Sequence, residues 1–168
     1  MKTLNTLMAL ALVAGVVTTV EAQTATINAT ARVLSPIAVG PSEDLRFGNV
    51  FQGVDKVVPA SDVSSGQFEF SGSTNAQVDM VLTLPTNLFN GVAPMPIAFW
   101  SGLQGVNATR GTGAVFAPVS GSPIVDNLGA AGTDFYRIFI GATVSPAVGQ
   151  MPGNYTNTIS LDVTYTGN

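Results

Sequence analysis

Few side chains in this sequence could perform covalent or acid–base chemistry, and those that could are oxygen donors. Histidine and cysteine are both absent, which excludes histidine-based triads, thiol nucleophiles and the commonest general base near neutral pH. No serine stands in a Gly-x-Ser-x-Gly elbow. Gly111-Thr112-Gly113 lacks the rest of a phosphate-binding fingerprint and reads as a turn. The acids are left. Of ten Asp and Glu, Glu21 lies in the leader and nine lie beyond it. Two of them meeting in space would suit glycoside hydrolysis, but most are expected as solvated loop or strand residues. Asp126-Asn127 and Asp134 offer oxygen ligands of the kind calcium takes, off the EF-hand spacing, so a capped loop is the simpler expectation. Trp100 could stack on a sugar ring, although its neighbours Ile97 and Phe99 suggest core. Asn28, Asn107 and Asn154 each open an Asn-x-Thr sequence, which a Thr-rich chain produces by coincidence. The expectation is a chain that is not an enzyme and carries no cofactor and no metal.

The elements that would position any site begin after an export signal. Met1 to Ala22 carries Lys2 near its start, an apolar run from Leu7 to Val17, and Val20-Glu21-Ala22 as a small-residue cleavage pattern. The run is shorter than the roughly 20 residues of a membrane span, and nothing later reaches that length. Residues 1–22 are therefore expected as a signal peptide, and residues 23–168 as a single β-sandwich domain outside the cytoplasm. Without cysteine, hydrophobic burial and ladder hydrogen bonds must stabilise it. Only 10% of residues are charged and the net charge is -4, so there is no basic patch for nucleic acid or an anionic membrane surface.

Gly 18 and Pro 10 break helices throughout, with Thr and Val plentiful between them, which points to an all-β chain. Thr24 to Val33 alternates without error. Ala25, Ile27, Ala29, Ala31 and Val33 share one face; Thr24, Thr26, Asn28, Thr30 and Arg32 share the other. After Ser35-Pro36, short strands are expected at Ile37 to Val39 and at Leu45 to Val50, with Leu45 and Phe47 inward. Gly53 to Ser65 reads as a surface loop. Phe68 and Phe70 are expected inward with Gln67 and Glu69 outward, and Val78, Met80, Leu82 and Leu84 line the next strand. Asn90-Gly91 is a tight-turn signal. Strands are expected at Ile97 to Trp100 and Ala114 to Ala117, with Ser120 to Thr133 as a long loop.

Phe135 to Val144 is the strongest internal strand. Tyr136, Ile138, Ile140, Ala142 and Val144 share a face, and Phe139 on the other implies cover on both sides. A final strand carries Tyr155, Ile159, Leu161, Val163 and Tyr165 on its apolar face. The chain thus begins and ends in amphipathic strands, whose free edges must be managed. Either the first strand completes its own sandwich, or it fills the groove of another copy. A contact of the second kind does not close on itself and generates fibres. Burying Ile27 and Val33 would contribute roughly 1.5–3 kcal/mol each, and each ladder hydrogen bond about 1 kcal/mol net.

The chain resembles the DUF4402 family of exported bacterial proteins and, more distantly, chaperone-usher pilins. The resemblance lies in the Ala-Thr-rich strand ending Val33-Leu34-Ser35-Pro36-Ile37, in Leu45-Arg46-Phe47-Gly48-Asn49-Val50, and in Gly153-Asn154-Tyr155 leading to Val163-Thr164-Tyr165. It implies an incomplete immunoglobulin-like (pilin-like) antiparallel sandwich. It also implies export with a periplasmic chaperone and an outer-membrane usher, and donor-strand exchange into a homopolymeric surface fibre serving adhesion or biofilm. By position, Ala25, Ile27, Ala29, Ala31 and Val33, within residues 23–34, would fill the groove of the next copy. Ile159, Leu161, Val163 and Tyr165 would form the strand the chaperone holds. The paired cysteines common in pilins are absent. The alternative is a self-complemented monomer in the periplasm or at the cell surface, binding a ligand such as a glycan through its loops.

Overall fold

Nine strands and no helix make up the regular structure of the described residues, which are 23–40, 42–101, 109–112, 119–129 and 135–167 of the computed structural model. The chain divides into two units, Met1–Arg32 and Val33–Asn168. In the first, residues 23–32 carry no regular secondary structure and Ile27 is 95% exposed. All nine strands belong to the second. They are β1 (Ala38–Val39), β2 (Lys56–Val58), β3 (Gly66–Ser71), β4 (Gln77–Thr83), β5 (Asn87–Phe89), β6 (Pro94–Ser101), β7 (Pro123–Asn127), β8 (Phe135–Val144) and β9 (Ser160–Tyr165). The leader, the sequon at Asn107, Gly113, the strand expected at Ala114 to Ala117, and Asp134 lie outside the described residues.

One sheet runs β1-β3-β8-β6-β5, with β2 also paired to β8, and the other runs β7-β4-β9. Every ladder is antiparallel. This is the all-β antiparallel sandwich that the alternating sequence leads one to expect. Its core follows from period two: Tyr136, Ile138 and Ile140 of β8 bury one face against Val78, Met80 and Leu82 of β4. The Phe70 and Tyr136 rings stack with centroids 5.2 Å apart. A second cluster gathers Leu88, Met95, Ile97, Ala142 and Val144. The far face of β8 is covered as Phe139 implied, for Phe139 is 2% exposed and the Arg110 guanidinium lies 4.7 Å from its ring centroid.

The strand order is informative. The rows β1-β3-β8-β6 and β4-β9 reproduce the A-B-E-D and C-F rows of a constant-type immunoglobulin sandwich, in which a seventh strand lies beside F. Here β9 occupies the F position at the end of its sheet, and among the described residues no strand lies along its outer edge.

The structure corrects five local expectations. Gly53 to Ser65 holds β2, which pairs with Ala142 to Val144 through Lys56, Val57 and Val58. Ser120 to Thr133 holds β7, which pairs with β4. Leu45 to Val50 is not a strand: the ladder beside β3 is reduced to the Glu43–Gln67 bridge and a bond from the Arg46 amide to the Ser64 carbonyl. Leu45 and Phe47 nevertheless pack inward, against the second cluster. Glu69 is 8% exposed rather than outward, because Arg137 opposite it on β8 meets its carboxylate at 2.6 Å. The last strand begins at Ser160, while Tyr155 to Ile159 leads into it with one bridge, Thr156 to Phe89.

Two glycines are required by close approach. A Cβ on Gly141 would lie 2.5 Å from the Ala60 nitrogen and 2.6 Å from the Val58 oxygen, where the chain leaves β2 along β8. A Cβ on Gly72 would collide with the Tyr165 hydroxyl. A bulge at Trp100, between Phe99 and Ser101, re-registers β6 against β8 at the same level as Gly141.

Candidate functional site: a groove leading to the last strand

A groove of about 1380 Å³ opens where the sandwich is least covered. One wall is the irregular segment 42–52, which presents Leu45, Phe47 and Val50; the other is 153–159, which presents Tyr155 and Ile159. Leu88, Met95 and Ile97 form the floor, joined by Phe68 and Ile140. The apolar floor and walls are the second core cluster seen from outside: Leu45, Phe47, Val50 and Tyr155 stay only partly buried against it. The segment 42–52 remains a wall rather than a strand because Gly48 adopts φ +64 and the ladder to β3 ends at Arg46.

The polar groups at the mouth bond to one another. Gln150 donates to the Tyr155 hydroxyl oxygen at 2.7 Å and to the Pro94 carbonyl at 3.0 Å, while Tyr155 donates to the Met151 carbonyl at 2.7 Å. Gln52 donates to the Gln150 carbonyl at 2.6 Å, which ties the first wall to the turn that precedes the second. The groove exceeds the roughly 300–1,000 Å³ of a drug-sized pocket. Its floor is apolar, and its walls interleave Leu45, Phe47, Val50, Tyr155 and Ile159 with polar side chains such as Asp44, Arg46, Asn154 and Thr156, a mixture that an extended chain with one apolar and one polar face would match.

The last strand begins at Ser160, directly after the second wall. Leu161, Val163 and Tyr165 point between the sheets and, with Ile159, pack on the first core cluster. Tyr155 packs on the second. At the far end of β9 the Tyr165 hydroxyl accepts the Ser73 amide proton at 2.8 Å and donates to the Ser35 carbonyl at 2.8 Å. The amino-terminal positions are exposed: residues 25, 27, 29, 31 and 33 have no strand assignment, and Ile27 and Val33 are each 95% exposed.

Several of the acids bond within the fold. Asp126 accepts the Tyr136 hydroxyl proton at 2.7 Å and the Asn127 amide proton at 2.8 Å, so the carboxylate considered for calcium is bonded to its own sandwich. Among the described residues no group of three or more acidic side chains could hold a metal ion. Glu43 pairs with Arg110, which also donates to the Ser65 carbonyl at 3.0 Å. Asp62 accepts the Ser64 amide proton at 2.8 Å, and that bond holds its carboxyl below the ordinary value. Burial, then the hydrogen bond to Asp126, pushes the Tyr136 phenol upward. Among the described residues no helix is long and apolar enough to cross a membrane.

Sequence reasoning singled out Leu45 and Phe47 as inward and Tyr155 and Ile159 as apolar-face positions, none of them as groove residues, and gave no inward role to Val50, Leu88 or Met95. These sit among Gly, Pro and Asn without a clean alternation, and their signal was only that they are apolar. Comparison with family models, with curated proteins and with solved structures finds no match for this chain.

Proposed function

We propose that this chain is a structural subunit of a bacterial surface pilus or fimbria, polymerising when residues 23–34 of one copy fill the groove of the next. One observation carries the reading. The strand order is that of a seven-stranded sandwich in which, among the described residues, no strand lies on the outer edge of β9, and a groove of about 1380 Å³ with an apolar floor ends at Ile159, next to that strand. The occupant is present in sequence as Ala25, Ile27, Ala29, Ala31 and Val33, whose exposure in the single chain leaves them available. Adding a strand to an open edge supplies main-chain hydrogen bonds, and side chains at every second position supply the fit. Until assembly, a periplasmic chaperone would cover the same edge of β9, and an outer-membrane usher would exchange that cover for the next subunit. The fibre would sit at the cell surface and support adhesion or biofilm.

The test is the mass distribution of the chain from Gln23 onward, by light scattering and on an unheated denaturing gel. Strand donation produces a ladder of multimers that collapses on heating and is abolished by Ile27→Asp with Ala29→Asp. A single monomer at every concentration would refute it and favour an opening strand that completes its own sandwich.

A further inference from the structure

The groove mouth on the Tyr155 side is rimmed by apolar side chains that the sandwich leaves open. Phe51 is 74% exposed, Val54 56%, Val148 91% and Met151 46%. The backbone brings them together. The Gly53 amide donates to the carbonyls of Pro146 at 3.0 Å and Ala147 at 3.2 Å, and a Cβ on Gly53 would lie 2.9 Å from a Val148 methyl. The Val54 amide closes the turn onto the Phe51 carbonyl at 3.2 Å. Phe51 and Met151 also line the groove, so rim and groove form one continuous surface.

The opposite end of β9 fixes where the amino-terminal segment leaves its own sandwich. There the Ser35 amide donates to the Ser73 hydroxyl at 2.5 Å, and Tyr165 bonds both residues. The length of β9 alone separates this exit from the mouth by more than about 15 Å, at roughly 3.3 Å per residue.

Resting on the strand-donation reading, we propose that the rim of Phe51, Val54, Val148 and Met151 is a second contact surface, taken by the body of the donating copy. A donated segment stays joined to its own sandwich through Val33 and Leu34, so the donor's body must sit at one end of the groove it fills. Antiparallel pairing with β9 is the sense of every ladder in this fold and the more stable sense per residue. It runs residue 24 toward Tyr165 and brings Val33 to the Tyr155 end, beside the rim. The donor surface next to Val33 is its Ser35–Ser73–Tyr165 pole, so rim meets pole, head to tail. Contiguous exposed apolar side chains of this kind mark contact surfaces, and a rim-to-pole contact repeats without closing.

Val54 and Val148 belong to the rim but not to the groove lining, so Val54→Ser with Val148→Ser separates the two surfaces. In the donating chain, these substitutions should slow multimer assembly about tenfold or more. Placed instead in an Ile27→Asp chain, which accepts but cannot donate, they should leave binding of a labelled peptide of residues 23–33 within about twofold, because the peptide has no body to dock. That retained binding also certifies the fold, and Val148→Ser alone serves if the double variant is unstable. Assembly at the unsubstituted rate would overturn the proposal, as would loss of peptide binding along with assembly. An unsubstituted chain that stays monomeric, with an Ile27→Asp chain that binds no peptide, would overturn the strand-donation reading itself.

Discussion

The Tyr136 hydroxyl on β8 donates to the Asp126 carboxylate on β7 at 2.7 Å, and this bond joins the two sheets across the core. Tyr136 is 2% exposed and Asp126 is exposed, so the bond is partly buried, at the edge of the core. Tyr136→Phe should lower unfolding stability by about 1.5 kcal/mol, the lower end of the range for a hydrogen bond to a charged group because the bond is only partly buried, measured as a shift of the urea midpoint. The sign with pH also follows. The folded phenol titrates above the ordinary value of 10.0, so the unfolded state loses its proton first. That contribution is whole below pH 10.0 and is lost as pH rises toward the higher folded value. Tyr136→Phe should therefore flatten the alkaline limb of the stability curve.

Gly141→Ala should be among the most damaging single-methyl additions. The new Cβ would meet the backbone of Val58, Pro59 and Ala60 at 2.5–2.8 Å, and backbone cannot turn aside as a side-chain tip can. A loss of about 1–3 kcal/mol or more is expected, with the urea m-value unchanged if the native topology survives.

Glu69 and Arg137 should behave asymmetrically. Arg137→Leu strands a carboxylate that is 8% exposed, whereas Glu69→Gln leaves a guanidinium whose side chain is 37% exposed and can turn to water. The first should cost about 1–3 kcal/mol. Partial exposure of the arginine keeps it below the roughly 3–5 kcal/mol of a fully buried broken pair. The second should cost less, and a double-mutant cycle in urea checks both.

On the acid side, Asp62 holds the Ser64 amide at 2.8 Å and titrates below 3.8. A lowered folded value contributes stability that is present above pH 3.8 and lost as pH falls through it. Asp62→Asn should lower the neutral-pH plateau of the urea midpoint slightly and make its acid limb shallower below pH 3.8, so that the two proteins converge in acid.

The parts legible in the sequence are those in which burial follows period two. Tyr136 to Ile140 and Val78 to Leu82 fall on the faces their alternation dictates, because each is covered by the other sheet, while Ala142 and Val144 continue the face under the second cluster. Glu69 defeated the alternation, because its partner Arg137 stands 68 residues away and only the register of β3 on β8 brings them together. β2 and β7 were missed because their pairing is decided by partners, Ala142 to Val144 and Gln77 to Val81, rather than by their own patterns. The groove was half visible. Leu45, Phe47, Tyr155 and Ile159 stood out as apolar positions, but Leu88 and Met95 reach the floor through the hairpin that Asn90 caps with its side-chain oxygen on the Val92 and Ala93 amides.

Ala142, Thr143 and Val144 have a ladder on each edge, from β2 on one side and β6 on the other, while among the described residues β9 is laddered on one edge only. In heavy water these two strands would keep different clocks. Amides of the doubly flanked stretch are released only by large-scale opening, whereas those on the outer edge of β9 can trade their protons from the intact sandwich. Occupation of that edge would therefore be written as a block of deuterium-resistant amides appearing between Ser160 and Tyr165, with the clock of Ala142 to Val144 nearly unmoved.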